Sequence, residues 1–227
     1  MGSGLGSALA ALLFPERCVA CGGGEELFCG DCRAGLLLLG GALCARCGCP
    51  TAWPVERCAE CTGRRLAFAS ARAAVAYDGP ARALVRAWKE RGLRRAAVLA
   101  ADLVEDVAPR PAVDALAWVP GDGDRIGWRG GNPAEELARA LAARWELPAA
   151  ALLRRDRVVR PQRGLPRAER RANVRDAFRA AGETPRAVGL VDDVYTTGAT
   201  TAAAAAALRR GGSRAVHVVA FARTVRR

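Results

Sequence analysis

The chain has 227 residues, enough for one full α/β core and a small appendage, and its 35 basic against 23 acidic residues give a formal net charge of +12. Its longest apolar run beyond the N-terminal segment, residues 34–43, is ten residues with three glycines, which excludes a bilayer span of the ~20 residues needed. The charge suits polyanions such as nucleic acid, acidic lipid or a pyrophosphate-bearing metabolite; the plainer alternative is an arginine-decorated surface with no such partner. Residues 1–14 lack the basic start of an export signal and read as a short amphipathic helix ending near Pro15, with Leu5, Leu9, Leu12 and Leu13 on one side. All nine cysteines fall between Cys18 and Cys61, and the composition changes near Arg64. Beyond that boundary strand and helix alternate. Strands are predicted over 69–77, 113–119, 149–153, 187–194 and 215–222, and helices over 80–91, 93–107, 133–145 and 200–210. Pro133 suits the first turn of its helix. Residues 121–131 read as a glycine-rich charged loop, and 154–175 as a basic loop running into a helix near Arg167. The alternation predicts a mostly parallel, doubly wound α/β sheet preceded by a small cysteine-rich domain. In such sheets ligands sit beyond the carboxyl ends of strands, here the loops after Val119 and Val194.

The cysteines form four C-x-x-C pairs, Cys18/Cys21, Cys29/Cys32, Cys44/Cys47 and Cys58/Cys61, with Cys49 left over. A C-x-x-C turn aims two sulfurs at one ion and a second pair completes a tetrahedron, so the eight paired thiols are candidate ligands of two structural zinc ions. Disulfides are disfavoured without an export signal, and a redox C-x-x-C normally stands alone at a strand-to-helix turn. A segment of this size with few large apolar side chains needs a metal to fold. Sequential pairing of neighbouring motifs into two ribbons is expected, with a cross-brace as the alternative. Gly22 and Gly48 directly follow a pair, where a tight knuckle favours a positive φ. Two tetrathiolate zinc centres, each carrying −2, take four units from the net charge and leave +8, still basic.

A second constellation lies at 187–201, AVGLVDDVYTTGATT. Apolar residues lead into Asp192 and Asp193, whose carboxylates at a strand end can accept hydrogen bonds from the vicinal hydroxyls of a ribose. Thr196, Thr197, Gly198, Ala199 and Thr200 then offer backbone N–H groups and hydroxyls at a helix start, a cradle for a phosphate. An ordinary strand and capped helix is the competing reading; it accounts for Thr200 as a cap but not for the acids, TTG and TT together. Of the 35 basic residues only Lys89 is lysine, a compact charge suited to single phosphate oxygens. The only histidine, His217, falls in an alternating strand and reads as structural.

The 187–201 stretch resembles the phosphoribosyl-pyrophosphate signature of type I phosphoribosyltransferases, and the wider pattern is similar to the competence protein F (ComF) family. That wider pattern comprises the C-x-x-C pairs, Ala76-Tyr77-Asp78-Gly79, Lys89-Glu90-Arg91-Gly92, Val119-Pro120, Arg129-Gly130 with Asn132, Gln162 with Gly164-Leu165, Glu169-Arg170-Arg171-x-Asn173-Val174 and Phe178. The resemblance implies an N-terminal helix over 1–15, a double zinc ribbon over 16–63 and a phosphoribosyltransferase-like domain over 64–227. It further implies phosphoribosyl pyrophosphate as ligand, held by the Asp192/Asp193 pair and the 196–200 loop, with Lys89 and Arg91 in a loop that receives the pyrophosphate and Mg²⁺ bridging it to the ribose. Phosphoribosyl transfer, with Asp192, Asp193 and Lys89 as the catalytic set, and a part in DNA uptake for natural transformation follow as expectations. The alternative is a non-catalytic module that binds single-stranded DNA or competence-machinery proteins and senses a sugar phosphate. Either role is cytoplasmic, free or peripheral at the inner membrane. The chain departs from the family at Gly121-Asp122-Gly123 and at Arg129-Gly130-Gly131-Asn132-Pro133, in the loop expected over the reacting centre.

Overall fold

The computed structural model describes residues 17–121, 131–155 and 177–225. The amphipathic helix expected over 1–14, most of the 121–131 loop, and the basic loop and helix expected within 154–175 lie outside these residues.

The core is a four-stranded parallel sheet in the order β1-β6-β5-β2, formed by β1 (Ser70–Ala76), β2 (Ala115–Trp118), β5 (Ala187–Tyr195) and β6 (Ala215–Arg223). These strands are buried almost throughout, as their continuous Val, Leu and Ala runs require of strands covered on both faces. Alternation divides the burial between two faces. On one face Leu116, Trp118, Val191, Val219 and Phe221 join the apolar stripes of three helices, α2 (Gly79–Arg91), α3 (Arg95–Val107) and α4 (Pro133–Trp145). On the other, Ala117, Val188, Leu190, Val218 and Ala220 pack with α5 (Ala199–Arg210), whose alanine-rich inner surface lets it lie close to the sheet. Helices on both faces of a parallel sheet are the doubly wound arrangement that the sequence predicts.

Two differences from the sequence reading have clear causes. The strand expected over 149–153 divides: Ala149 makes one parallel bridge to Leu116, whereas Leu153–Arg155 (β3) pairs antiparallel with Phe178–Ala180 (β4). The pair covers α5, and its second strand was hidden by a three-residue length that carries no periodic signal. The helix expected from Thr200 begins one residue earlier, at Ala199.

The cysteine-rich segment lies against the edge of β1. Its one regular helix is α1 (Gly30–Ala34). The Leu39 N–H donates to the Ala74 carbonyl and the Ala76 N–H to the Leu37 carbonyl, so residues 37–39 run antiparallel along β1, whose free polar edge they satisfy. At the other end of the sheet, Leu116 donates to Pro148 and accepts from Ala150, which closes the β2 edge in the same manner. Further along β1, Gly48 (φ 66°) presses on the Ala71 carbonyl so closely that a Cβ there would overlap the backbone.

Candidate functional site

The cysteines gather as the sequential pairing expects: Cys18, Cys21, Cys29 and Cys32 in one group and Cys44, Cys47, Cys58 and Cys61 in another, every sulfur within 4.8 Å of the others in its group. Four ligands at a Zn–S distance of about 2.3 Å define tetrahedral edges of about 3.8 Å. The sulfurs fit that edge: 3.7 Å for Cys21–Cys29, 3.6 Å for Cys44–Cys61, 3.5 Å for Cys47–Cys58 and 4.0 Å for Cys58–Cys61. All are far beyond a disulfide bond. Backbone N–H groups of Gly23, Cys29 and Cys58 point at Cys21, Cys18 and Cys44 sulfurs, as thiolate ligands need. Gly22 and Gly48 take the positive φ expected of the knuckles, 76° and 66°. The two clusters fit two structural zinc sites. Cys49 belongs to neither; burial pushes its thiol up to about 11.

The second constellation sits at the carboxyl end of β5. Asp193 is buried, 8% exposed, and its Oδ2 pairs with the ammonium of Lys89. Asp192 Oδ1 accepts from the Asp193 N–H at 3.0 Å. Burial, and then the neighbouring Asp193 charge, raise the Asp192 carboxyl well above the ordinary carboxylate range, with Lys89 pulling the other way. The structure therefore unites Asp192, Asp193 and Lys89. Lys89 and Arg91 occupy the last turn of α2, inside the helix predicted over 80–91 and not in the loop that the resemblance implies; Gly92 ends that helix in a left-handed conformation at φ 64°. That helix is pinned by Trp88, whose Nε1 donates to Glu136 Oε2 on α4 at 2.8 Å, so Lys89 projects from a rigid element. Arg91 is exposed and makes no ion pair with a described residue.

Beyond Tyr195 the chain turns through Thr196 and Thr197, both exposed, to Gly198 at φ 72°, then enters α5. Thr200 does not cap that helix: Gly198 is its N-cap, and Thr197 Oγ1 accepts from the Ala199 N–H at 3.4 Å while Thr201 Oγ1 donates to the Gly198 carbonyl at 3.2 Å. The first-turn N–H groups of a helix have no intrahelical acceptors and face outward at such a start. Nearby, Asn132 joins the end of β2 to α4 by donating to the Val119 carbonyl at 3.1 Å and accepting from the Ala134 N–H at 3.1 Å. His217 lies at the amino end of β6, away from the acids, with Nδ1 2.9 Å from Ser70 Oγ. It lines a cavity of about 120 Å³ with Ser70, Arg72 and Arg110.

Sequence reasoning missed three residues around the 196–200 loop. Arg223, 1% exposed at the end of β6, donates to the Cys47 carbonyl at 2.5 Å and to Glu60 Oε2 at 3.0 Å. Its guanidinium lies over the Tyr195 ring, 5.2 Å from the centroid. Arg64 donates to the Thr197 carbonyl at 2.5 Å. An arginine closing the apolar run of 215–222 was the available signal for Arg223; for Arg64 and Tyr195 there was none.

Residues 9–62 match the family described as the double zinc ribbon domain. Competence protein F of Haemophilus influenzae is 27% identical over 226 residues, covering 92% of this chain and 98% of that protein. Among solved structures, orotate phosphoribosyltransferase from Aeropyrum pernix aligns at 25% identity over 65% of this chain and 67% of that one, with a TM-score of 0.36. Glutamine phosphoribosylpyrophosphate amidotransferase from B. subtilis, in complex with ADP and GMP, aligns at 26% identity over 54% of this chain with a TM-score of 0.37, and only 25% of that longer chain is spanned. Among the described residues no helix is long and apolar enough to cross a membrane. Two cysteine clusters ahead of a parallel α/β sheet thus accompany a similarity to competence protein F that runs over nearly the whole length of both chains.

Proposed function

We propose that this protein binds phosphoribosyl pyrophosphate together with Mg²⁺ at the carboxyl end of β5, and that it serves DNA uptake on the cytoplasmic side of the membrane; the name of its H. influenzae relative, a competence protein, supports a part in competence. The observation that carries the reading is the joining of Asp192, Asp193 and Lys89 directly before a glycine-pivoted threonine turn at a helix start. The acids would hold the ribose hydroxyls, and the turn would take the 5′-phosphate on N–H groups and hydroxyls. Lys89, now paired with Asp193, is a cation that a pyrophosphate can recruit, and Arg91 extends the same helix end toward solvent. Mg²⁺, when bound, would neutralise pyrophosphate oxygens and strengthen it as a leaving group. Transfer would break the bond between C1 of the ribose and pyrophosphate and form one to an acceptor nucleophile, whose proton departs to solvent; the residues contribute position and charge. Calorimetry with phosphoribosyl pyrophosphate and Mg²⁺ tests the site: wild type gives saturable heat and the Asp192→Asn/Asp193→Asn variant does not. Equal heats from both, or none from wild type, would overturn it.

A second reading, contact with single-stranded DNA through the ribbons, is favoured by Trp53, which stands 69% exposed beside the second cluster as a stacking surface. Affinity for an oligonucleotide should then fall steeply with salt and drop in Trp53→Ala. No binding at low salt removes this reading.

A further inference from the structure

The second cysteine cluster and the 196–200 loop share two arginines. Arg64 follows Cys61 by three residues; its own N–H donates to the Cys61 carbonyl at 3.1 Å, and its guanidinium reaches across to the Thr197 carbonyl at 2.5 Å. Arg223 joins the Cys47 carbonyl to the ring of Tyr195, its register partner across β5 and β6. Tyr195 is 3% exposed, its hydroxyl has no hydrogen-bond partner among the described residues, and the backbone of Gly198 lies so close to that phenol that a Cβ would overlap it. Phe68 meets the same ring edge-on, with centroids 6.3 Å apart. The turn therefore leans on a buried aromatic that is itself clamped to a cysteine carbonyl. The first cluster is placed differently: Cys18, Phe28, Cys32 and Leu36 pack into the core on the face of α2 and α3.

We infer that Arg64 and Arg223 are positioning residues that lock the 196–200 turn to the second metal centre, so that metal held by Cys44, Cys47, Cys58 and Cys61 supports sugar-phosphate affinity without touching the ligand. The inference rests on the ligand proposed above. Linkage makes the effect reciprocal: a ligand on the turn must steady the metal by the factor by which the metal steadies the ligand.

The test uses the full zinc-loaded chain, with Arg64→Ala and Arg64→Lys as variants, because Arg64 is partly exposed and its removal leaves the core packed. Amide hydrogen exchange without added ligand is the first measurement. Residues 196–201 should exchange about tenfold faster in Arg64→Ala, with partial recovery in Arg64→Lys, while the central strands keep wild-type protection. The second measurement is the rate at which zinc passes to a chromophoric chelator. Phosphoribosyl pyrophosphate with Mg²⁺ should slow the release of one of the two zinc ions by about five- to tenfold in wild type and not in Arg64→Ala, and calorimetric affinity should fall by a similar factor in that variant. Unchanged exchange at 196–201, with wild-type affinity, would overturn the coupling and leave the ligand reading standing. Faster exchange together with no ligand heat from wild type would uphold the clamp between the turn and the cysteine cluster and remove the sugar-phosphate ligand, and with it the effect on affinity.

Discussion

Gly198→Ala is the sharpest perturbation that the site offers. Gly198 holds φ at 72°, where an alanine is penalised by about 1–2 kcal/mol. Its new methyl would also overlap the Tyr195 hydroxyl and lie 2.6 Å from Cζ and 2.9 Å from Cε2. That ring cannot withdraw, since it is 3% exposed between Phe68 and the Arg223 guanidinium. Forcing an extra methyl into such packing costs about 1–3 kcal/mol. The total is about 3 kcal/mol, which for a chain of this size lowers Tm by roughly 6–12 °C, or less if the turn moves outward and gives up the ligand instead. Thermal unfolding and calorimetry together capture both routes. Tyr195→Phe should itself be neutral or slightly stabilising, because the hydroxyl it removes has no partner among the described residues. Combined with Gly198→Ala it should recover part of the loss, since the nearest atom is gone and Cζ remains. A Gly198→Ala protein within 2 °C of wild type and with unaltered affinity would refute the reasoning, as would strict additivity in the double variant.

Asp192→Asn should raise stability at neutral pH while removing ligand binding. The folded protein holds the Asp192 proton more tightly than the unfolded chain, so stability falls as pH rises from the ordinary value of 3.8 toward the raised one. Asparagine abolishes that slope, and Tm curves of variant and wild type should converge near pH 4; a variant that is less stable at pH 7.5 would count against it. His217 shows the opposite slope: burial and then Arg72 hold its pKa below 6.5, so acid favours the unfolded chain and stability drops as pH falls below that value. A His217→Gln protein should lose that part of the acid sensitivity, measured by unfolding at pH 5 and 7. Arg223→Met should cost about 3 kcal/mol, mostly from the buried Cys47 carbonyl left without a donor, since Glu60 is partly exposed and can regain water. Chemical unfolding of the zinc-loaded protein measures it, and a change under 1 kcal/mol would show that the clamp is dispensable.

The parallel sheet was legible because its strands carry continuous apolar runs and its helices carry the 3.6-residue stripe, and both signals are local. The cysteine groups were legible because C-x-x-C spacing is itself a geometric constraint, which the sulfur distances meet. What could not be read were relations between distant parts of the chain. The helix that ends with Lys89 and Arg91 was predicted, but that it is pinned beside Asp193 depends on Trp88 finding Glu136, 48 residues on. That Arg223 is buried at all depends on a carbonyl 176 residues away. Short β4 has too few residues for a period, and its pairing with β3 is likewise set by packing on α5.

The run of residues 37–39 along β1 has a consequence for the protein's fate in the cell. With 148–150 bonded to Leu116 on the opposite flank, it covers part of each outer margin of the sheet, where another chain could otherwise template itself. The flank at β1 is supplied by a segment that folds around metal. Scarcity of zinc would therefore strip the seam from β1 and expose its apolar end, residues 73–76, so that precipitation, rather than a soluble but inactive protein, would be the first sign of deprivation.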